Sequence, residues 1–285
     1  MKKFASLIST SILALALLAG CGGQPNQGDT SAGAEQDSKK EAVVLKVGAT
    51  AVPHAEILEQ VKPLLLEKGV QLEVQEFNDY ILPNKALEDK QLDANFFQHV
   101  PYLESFNQDH KTHLVAKTPV HFEPLGLYAG KSNSLDSIQE GALIAVPNDP
   151  TNEARALHLL QDQGLIKLPE NADLKITPND IVENPHNLVF KELEAGFIAR
   201  SLGDVDFAVI NGNYAIEAGL KTADALALED QESLAAKTFA NVVVVREGDE
   251  NRDVILLLEE AITSPQIKEF IESKYSGAVV PMFGK

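Results

Sequence analysis

From Ala42 onward the chain alternates short apolar runs with segments of helical period. The run at 43–47 predicts a buried strand, and 70–77 alternates apolar and polar positions as a second strand. Between them, 54–67 puts Ile57, Leu58, Val61, Leu64 and Leu65 on one side of a helix. Pro63 falls inside that helix, so a kink or a break is expected there. Short helices are predicted at 85–90 and 100–108, followed by strands at 113–118 and 125–128. An apolar run at 142–146 ends in Pro147, and a helix at 152–163 carries Ala154, Leu157 and Leu160 on one side. Strands at 188–193 and 206–210 alternate with helices at 197–202 and 214–218. A β-branched strand at 242–245 precedes two closing helices at 254–262 and 264–275. Strands alternating with helices predict α/β architecture with mostly parallel sheets.

The first 41 residues read differently. Lys2 and Lys3 precede an uncharged stretch, Phe4 to Leu18, rich in Leu, Ile and Ala. Leu18-Ala19-Gly20-Cys21 follows, giving the basic, apolar and small-residue order of a secretory signal peptide. The ending resembles the bacterial lipobox, which implies acylation of Cys21 and removal of residues 1–20. The apolar stretch is shorter than the roughly 20 residues that span a bilayer. Residues 22–41 hold no large apolar side chain and are expected to form a disordered tether from the acylated cysteine. Two smaller α/β lobes suit such an exported, tethered chain better than one large sheet.

Composition narrows the classes. The net charge of −18 argues against nucleic acid or anionic lipid held by a basic patch. The single cysteine, if acylated, leaves no disulfide and no thiol nucleophile. G-x-S-x-G, H-E-x-x-H and G-x-x-x-x-G-K are absent from the sequence. His110, His113 and His121 have no cysteine to join them and straddle a predicted helix-to-strand change. They read as surface residues, so neither a metal nor a cofactor is expected.

Polar loops directly after apolar strands are the better candidates, because open α/β sheets bind ligands at strand C-termini. Asn78-Asp79-Tyr80-Ile81-Leu82-Pro83-Asn84 is one motif. Phe97-Gln98-His99-Val100-Pro101-Tyr102-Leu103 is a second, and Val146-Pro147-Asn148-Asp149-Pro150-Thr151-Asn152 a third. With Asn211-Gly212-Asn213 and Ala240-Asn241-Val242, these resemble the methionine-binding lipoproteins of bacterial ABC importers, the NlpA/MetQ family, from about Leu45 to Phe283.

The resemblance implies a two-lobed periplasmic-binding-protein fold, type II-like, with the ligand cleft between the lobes. It places lobe 1 at about 42–127 plus 243–285 and lobe 2 at about 128–242. It implies a lipid-anchored protein on the extracytoplasmic face of the cell membrane. That protein would capture methionine and pass it to an ABC permease and its ATPase subunits, without enzymatic activity. A methionine-containing dipeptide as ligand, or a surface lipoprotein with a vestigial site, are the alternatives.

Residue by residue, the resemblance puts the ligand carboxylate on Arg155, whose planar fork and early position in a helix suit an anion. It puts the thioether among Tyr80, Phe97 and His99; the bare sequence would make Phe97 core and His99 a turn residue. Asn211 and Asn241 match positions that hydrogen-bond the polar end, whereas Asn213 also reads as a cap for the next helix. The family often has Ser-Pro-Tyr-x-Asn before the last strand. Here the chain reads Thr238-Phe239-Ala240-Asn241, so a hydroxyl is lost at Phe239.

Overall fold

The computed structural model describes residues 42–231 and 234–284. The expected signal peptide, the acylation site Cys21 and the tether to residue 41 lie outside the described residues. No helix among the described residues is long and apolar enough to cross a membrane.

The first half of the chain runs β1 (Val43–Thr50), α1 (Glu56–Glu67), β2 (Val70–Phe77), α2 (Leu82–Glu88), β3 (Ala94–His99), α3 (Val100–His110) and β4 (Leu114–Phe122). The middle runs β5 (Gly126–Ala129), β6 (Leu143–Pro147), α4 (Pro150–Asp162), β7 (Val189–Leu193), α5 (Ala195–Ile198), β8 (Phe207–Ile210), α6 (Gly212–Glu217) and β9 (Ala225–Leu228). The chain then returns through α7 (Leu234–Thr238), β10 (Asn241–Arg246), α8 (Asp253–Ile262), α9 (Pro265–Tyr275) and β11 (Val280–Pro281).

Two sheets result. One has the order β11-β4-β10-β3-β1-β2, the other β7-β6-β8-β5-β9. Each defines a lobe with its own apolar core. Leu45, Val47, Phe96, Val243 and Val245 pack under α1, α8 and α9 in one. Leu127, Ile144, Val146, Leu157 and Phe207 form the other. The sheets are mixed rather than mostly parallel. β1 runs parallel to β2 and β3, but β10 and β4 run antiparallel to their neighbours. The chain enters the second sheet at β5 and comes back at β10, and each of these strands runs antiparallel to both its neighbours.

The passages between the sheets are 123–125 and the segment from Leu228 to Asn241. The limits expected at about 127 and 242 fall inside β5 and β10. The two passages are bonded to each other, with Glu229 N–H donating to Leu125 O at 3.0 Å and Leu125 N–H to Glu229 Oε2 at 2.8 Å.

Three local readings need correction. α1 continues through Pro63 without a break. Pro63 and Glu59 both lie on its exposed face, so the carbonyl that loses its donor is within reach of water. β3 had no signal in the sequence, because all six of its residues are buried and the pattern cannot alternate. His121 is not a surface residue: it is fully buried at the end of β4, whereas His110 and His113 are exposed.

Candidate functional site

A cavity lies where the two lobes meet. All six ligand residues assigned by resemblance line it: Tyr80, Phe97 and His99, with Arg155, Asn211 and Asn241. The first lobe contributes Tyr80 from the loop after β2, Phe97 and His99 from the end of β3, and Asn241 from the start of β10. The second contributes Arg155 from α4 and Asn211 from the entrance to α6.

The third motif shows how local sequence builds the site. Asp149 caps α4, accepting from the backbone N–H of Asn152 at 3.0 Å, and Pro150 occupies the first turn. The Asn152 amide also donates to both Asp149 oxygens at 3.0 Å. This fixes its Oδ1, which faces His99 Nε2 at 3.1 Å and accepts from Asn211 Nδ2 at 3.0 Å. His99 Nδ1 accepts from Tyr102 N–H at 3.2 Å, so Nε2 carries the proton. Burial, then the Arg155 charge, pushes His99 down to about 3, and the ring stays neutral.

Arg155 is 4% exposed and is held on three sides. Its Nε and Nη2 meet Glu229, and Nη2 also donates to Glu123 O at 2.9 Å. Its guanidinium lies 4.4 Å from the centre of the Phe239 ring and 5.6 Å from that of Phe122. Phe239, where the family often has tyrosine, supplies the flat face under the cation. Its ring also meets His99 edge-on at 5.1 Å.

The apolar wall is aromatic. Tyr80 packs against Phe97 and Tyr102, each at 5.7 Å between centroids, and against Tyr214 at 5.1 Å. Tyr80 OH donates across the cleft to Asn213 Oδ1 at 2.6 Å. Asn213 lies within α6, which begins at Gly212, and the residue at the cap position is Asn211.

The structure adds Glu123, Glu229, His54 and the burial of His121 to the expected set. Glu123 is 5% exposed in the first passage between the sheets and lines the cavity. Burial raises its pKa, against the pull of His54, Arg155 and the backbone N–H of Asn213. His121 Nε2 lies 2.6 Å from Glu123 Oε1, and His54 Nε2 3.4 Å from the same atom. These three side chains come within 4.8 Å of one another, close enough for a metal. Hydrogen bonds already account for both ring nitrogens of His54, since its Nε2 also lies 3.2 Å from Asn241 Oδ1 and its Nδ1 2.7 Å from Thr50 Oγ1. A usable signal was the polar pair His121 and Glu123 inside the apolar run 119–128.

Among the described residues, Asn211 Oδ1 and Asn213 Nδ2 are buried side-chain atoms with no hydrogen-bond partner. One is an acceptor and the other a donor, and both residues line the cavity.

Two lobes closing on a small polar and aromatic cavity define the class: substrate-binding proteins of the two-lobed type. The chain belongs to the NlpA lipoprotein family, whose model matches residues 45–283. It is 42% identical over 256 residues to the methionine-binding lipoprotein MetQ of Bacillus subtilis (strain 168), covering 87% of this chain and 90% of that one. The solved structure of a nutrient binding protein from Burkholderia cenocepacia bound to methionine is similar, with TM-score 0.80, 43% identity, and 84% and 100% of the two chains covered. So is an ABC transporter, periplasmic substrate-binding protein from Coxiella burnetii, with TM-score 0.78, 40% identity, and 83% and 99% covered.

Proposed function

We propose that this chain is the lipid-anchored substrate-binding component of an ABC transporter, and that it captures methionine and delivers it to the permease. One observation carries the reading. The cavity holds a fixed cation at Arg155, a buried carboxylate at Glu123, and an unpartnered acceptor and donor at Asn211 Oδ1 and Asn213 Nδ2. A zwitterionic amino acid brings the complement of each: a carboxylate, an ammonium with three N–H donors, and acceptor oxygens. Arg155, with its Nη1 outside the bonds to Glu229 and Glu123, takes the carboxylate, helped by Asn241. Glu123 and Asn211 take the ammonium. Tyr80, Phe97 and His99 enclose an unbranched thioether side chain.

The protein binds and releases its ligand unchanged, as a transporter's substrate-binding component does. Cys21 carries the lipid after loss of residues 1–20, and residues 22–41 tether the lobes at the extracytoplasmic face of the membrane. The permease and its ATPase subunits are the partners.

Native mass spectrometry of the purified protein should show a bound mass equal to methionine, and thermal shifts should be larger for L- or D-methionine than for Gly-Met. A larger shift with Gly-Met would transfer the assignment to dipeptides. Replacing Cys21 by Ala should release the protein from the membrane fraction; retention there would place the anchor elsewhere.

A further inference from the structure

Two buried histidines that are not among the cavity-lining residues converge on one oxygen of Glu123. His121 is 0% and His54 1% exposed, and neither has a role in the reading above. Their hydrogen bonds assign the protons. His54 Nε2 faces two acceptors, Asn241 Oδ1 at 3.2 Å and Glu123 Oε1 at 3.4 Å, so the proton sits on Nε2. Its Nδ1 then accepts from the Thr50 hydroxyl at 2.7 Å. His121 Nδ1 is buried with no partner. A bare lone pair there is tolerable and an orphaned N–H is not, so the His121 proton sits on Nε2 and is donated to Glu123 Oε1 at 2.6 Å. Both rings are neutral donors aimed at a carboxylate.

Glu123 lines the cavity, and its other edge packs against Gly212. A Cβ on Gly212, a cavity-lining residue, would stand 3.3 Å from Glu123 Oε2 and 2.6 Å from Glu123 Cβ. Glycine at 212 is what lets the carboxylate approach the ligand space.

We propose that His121 and His54 are positioning residues for the ligand's ammonium group, holding the Oε1 edge of Glu123 so that its carboxylate stays charged and faces the cavity. The proposal rests on the reading that Glu123 receives the ammonium. Neutral donors suit this task better than cations. A charged histidine or lysine at the same place would pair with Glu123 and compete with the ligand. Burial keeps the rings in that form, pushing His54 down to about 4 and His121 to about 3. The other charged or titratable groups that face Glu123 are Arg155 from α4, Tyr80 from the cleft loop and Tyr275 from α9.

The sign of the pH effect follows. Losing an N–H donor disfavours the carboxylate, so Glu123 takes up its proton at higher pH. Affinity for an ammonium-bearing ligand is then lost earlier as the pH falls. A ligand with no ammonium does not share that loss.

The experiment is calorimetry of the intact protein with L-methionine and with 3-(methylthio)propanoate, which lacks the ammonium, between about pH 5 and pH 8. In the parent, methionine should bind far more tightly than the analogue. His121→Leu should reduce that preference about tenfold or more, the scale of one hydrogen bond to a charged group, and move the acid limb for methionine to higher pH. His54→Leu should act in the same direction but less, given its longer 3.4 Å approach. His121→Gln, which keeps an N–H donor near the Nε2 position, should recover most of the loss. Should His121→Leu fail to fold, His121→Gln and His54→Leu still decide. Unchanged preference in His54→Leu together with a full loss in His121→Gln would overturn the proposal. An unchanged preference in a folded His121→Leu would do so alone. Glu123→Gln separates the two levels. If it lowers the preference while the histidine variants do not, only the positioning role fails. If Glu123→Gln has no effect, the ammonium assignment fails with it.

Discussion

Arg155 and Glu229 meet edge to edge, Nε on Oε1 at 2.6 Å and Nη2 on Oε2 at 2.5 Å, with side chains 4% and 9% exposed. Glu229 sits in the passage that returns the chain to the first sheet, and Arg155 also donates to the backbone of Glu123 in the other passage. The proposed carboxylate-binding cation is therefore tied to both connections between the lobes. Ligand charge, pair geometry and lobe closure act on one side chain.

The pairing makes Arg155→Ala more than a local change in the cavity. Ligand affinity should fall roughly 30-fold or more, as expected when a desolvated charge contact is lost. Stability should fall too, by about 3–5 kcal/mol, because Glu229 is left buried without its partner. Neutralising Glu229 as well should restore most of that stability and none of the affinity. Thermal melts and calorimetry of Arg155→Ala, Glu229→Gln and the double variant test this. If the double variant melts no higher than Arg155→Ala, the pair is not what holds the segment.

Phe97 should control side-chain recognition rather than the charged end. Phe97→Ala should weaken methionine binding by about 1–3 kcal/mol, the scale of one apolar side chain. Alanine as ligand keeps the charged end and lacks the tail, so the affinities for methionine and alanine should converge in the variant. Glutamate should bind neither protein, since a second carboxylate would be buried unpaired. A constant methionine-to-alanine ratio would make Phe97 a packing residue only.

The sequence carried much of this arrangement where the information is local. Asp149, Pro150 and Asn152 announce a capped helix, and the cap holds Asn152 toward both His99 and Asn211. Alternation in β2 and the amphipathic pattern of α1 were readable for the same reason, since each has one wet face. β3 was not, because it is covered on both sides. Nor was the partnership of Glu123 with His54, residues 69 positions apart that follow β4 and β1 and meet through the strand order of the first sheet. His121 lay beyond the strand expected at 113–118, whereas β4 runs on to Phe122 and carries it into the interior.

Glu153 gives the fold a pH dependence with a definite sign. Its carboxyl lies behind the helix cap with Oε1 buried and unpartnered, and burial, then Glu192 and Asp149, raises its pKa from 4.5 to about 7. Between those values the folded chain keeps a proton that the unfolded chain has released. Stability therefore falls as the pH rises through that window. Glu153→Gln should melt higher than the parent at about pH 8 and almost equally at about pH 4. Equal melting temperatures at the higher pH would mean that the carboxyl ionises freely in the folded protein.

Closure of the lobes should be tunable without touching the ligand cavity. Tyr214 OH, from α6 in the second lobe, donates at 3.2 Å to the backbone carbonyl of Asn78 in the first. Tyr214 does not line the ligand cavity, although its ring packs behind Tyr80. Tyr214→Phe removes the bond and keeps the ring, so its effect acts on the closed arrangement alone. A neutral hydrogen bond contributes about 0.5–1.5 kcal/mol, which is roughly a two- to tenfold change in an equilibrium constant. The loss should appear as faster ligand release, because the bond forms only after the lobes meet and encounter precedes it. Stopped-flow measurement should show a higher dissociation rate and an unchanged association rate. A slower association rate with unchanged dissociation would mean that Tyr214 guides entry instead of holding the closed form.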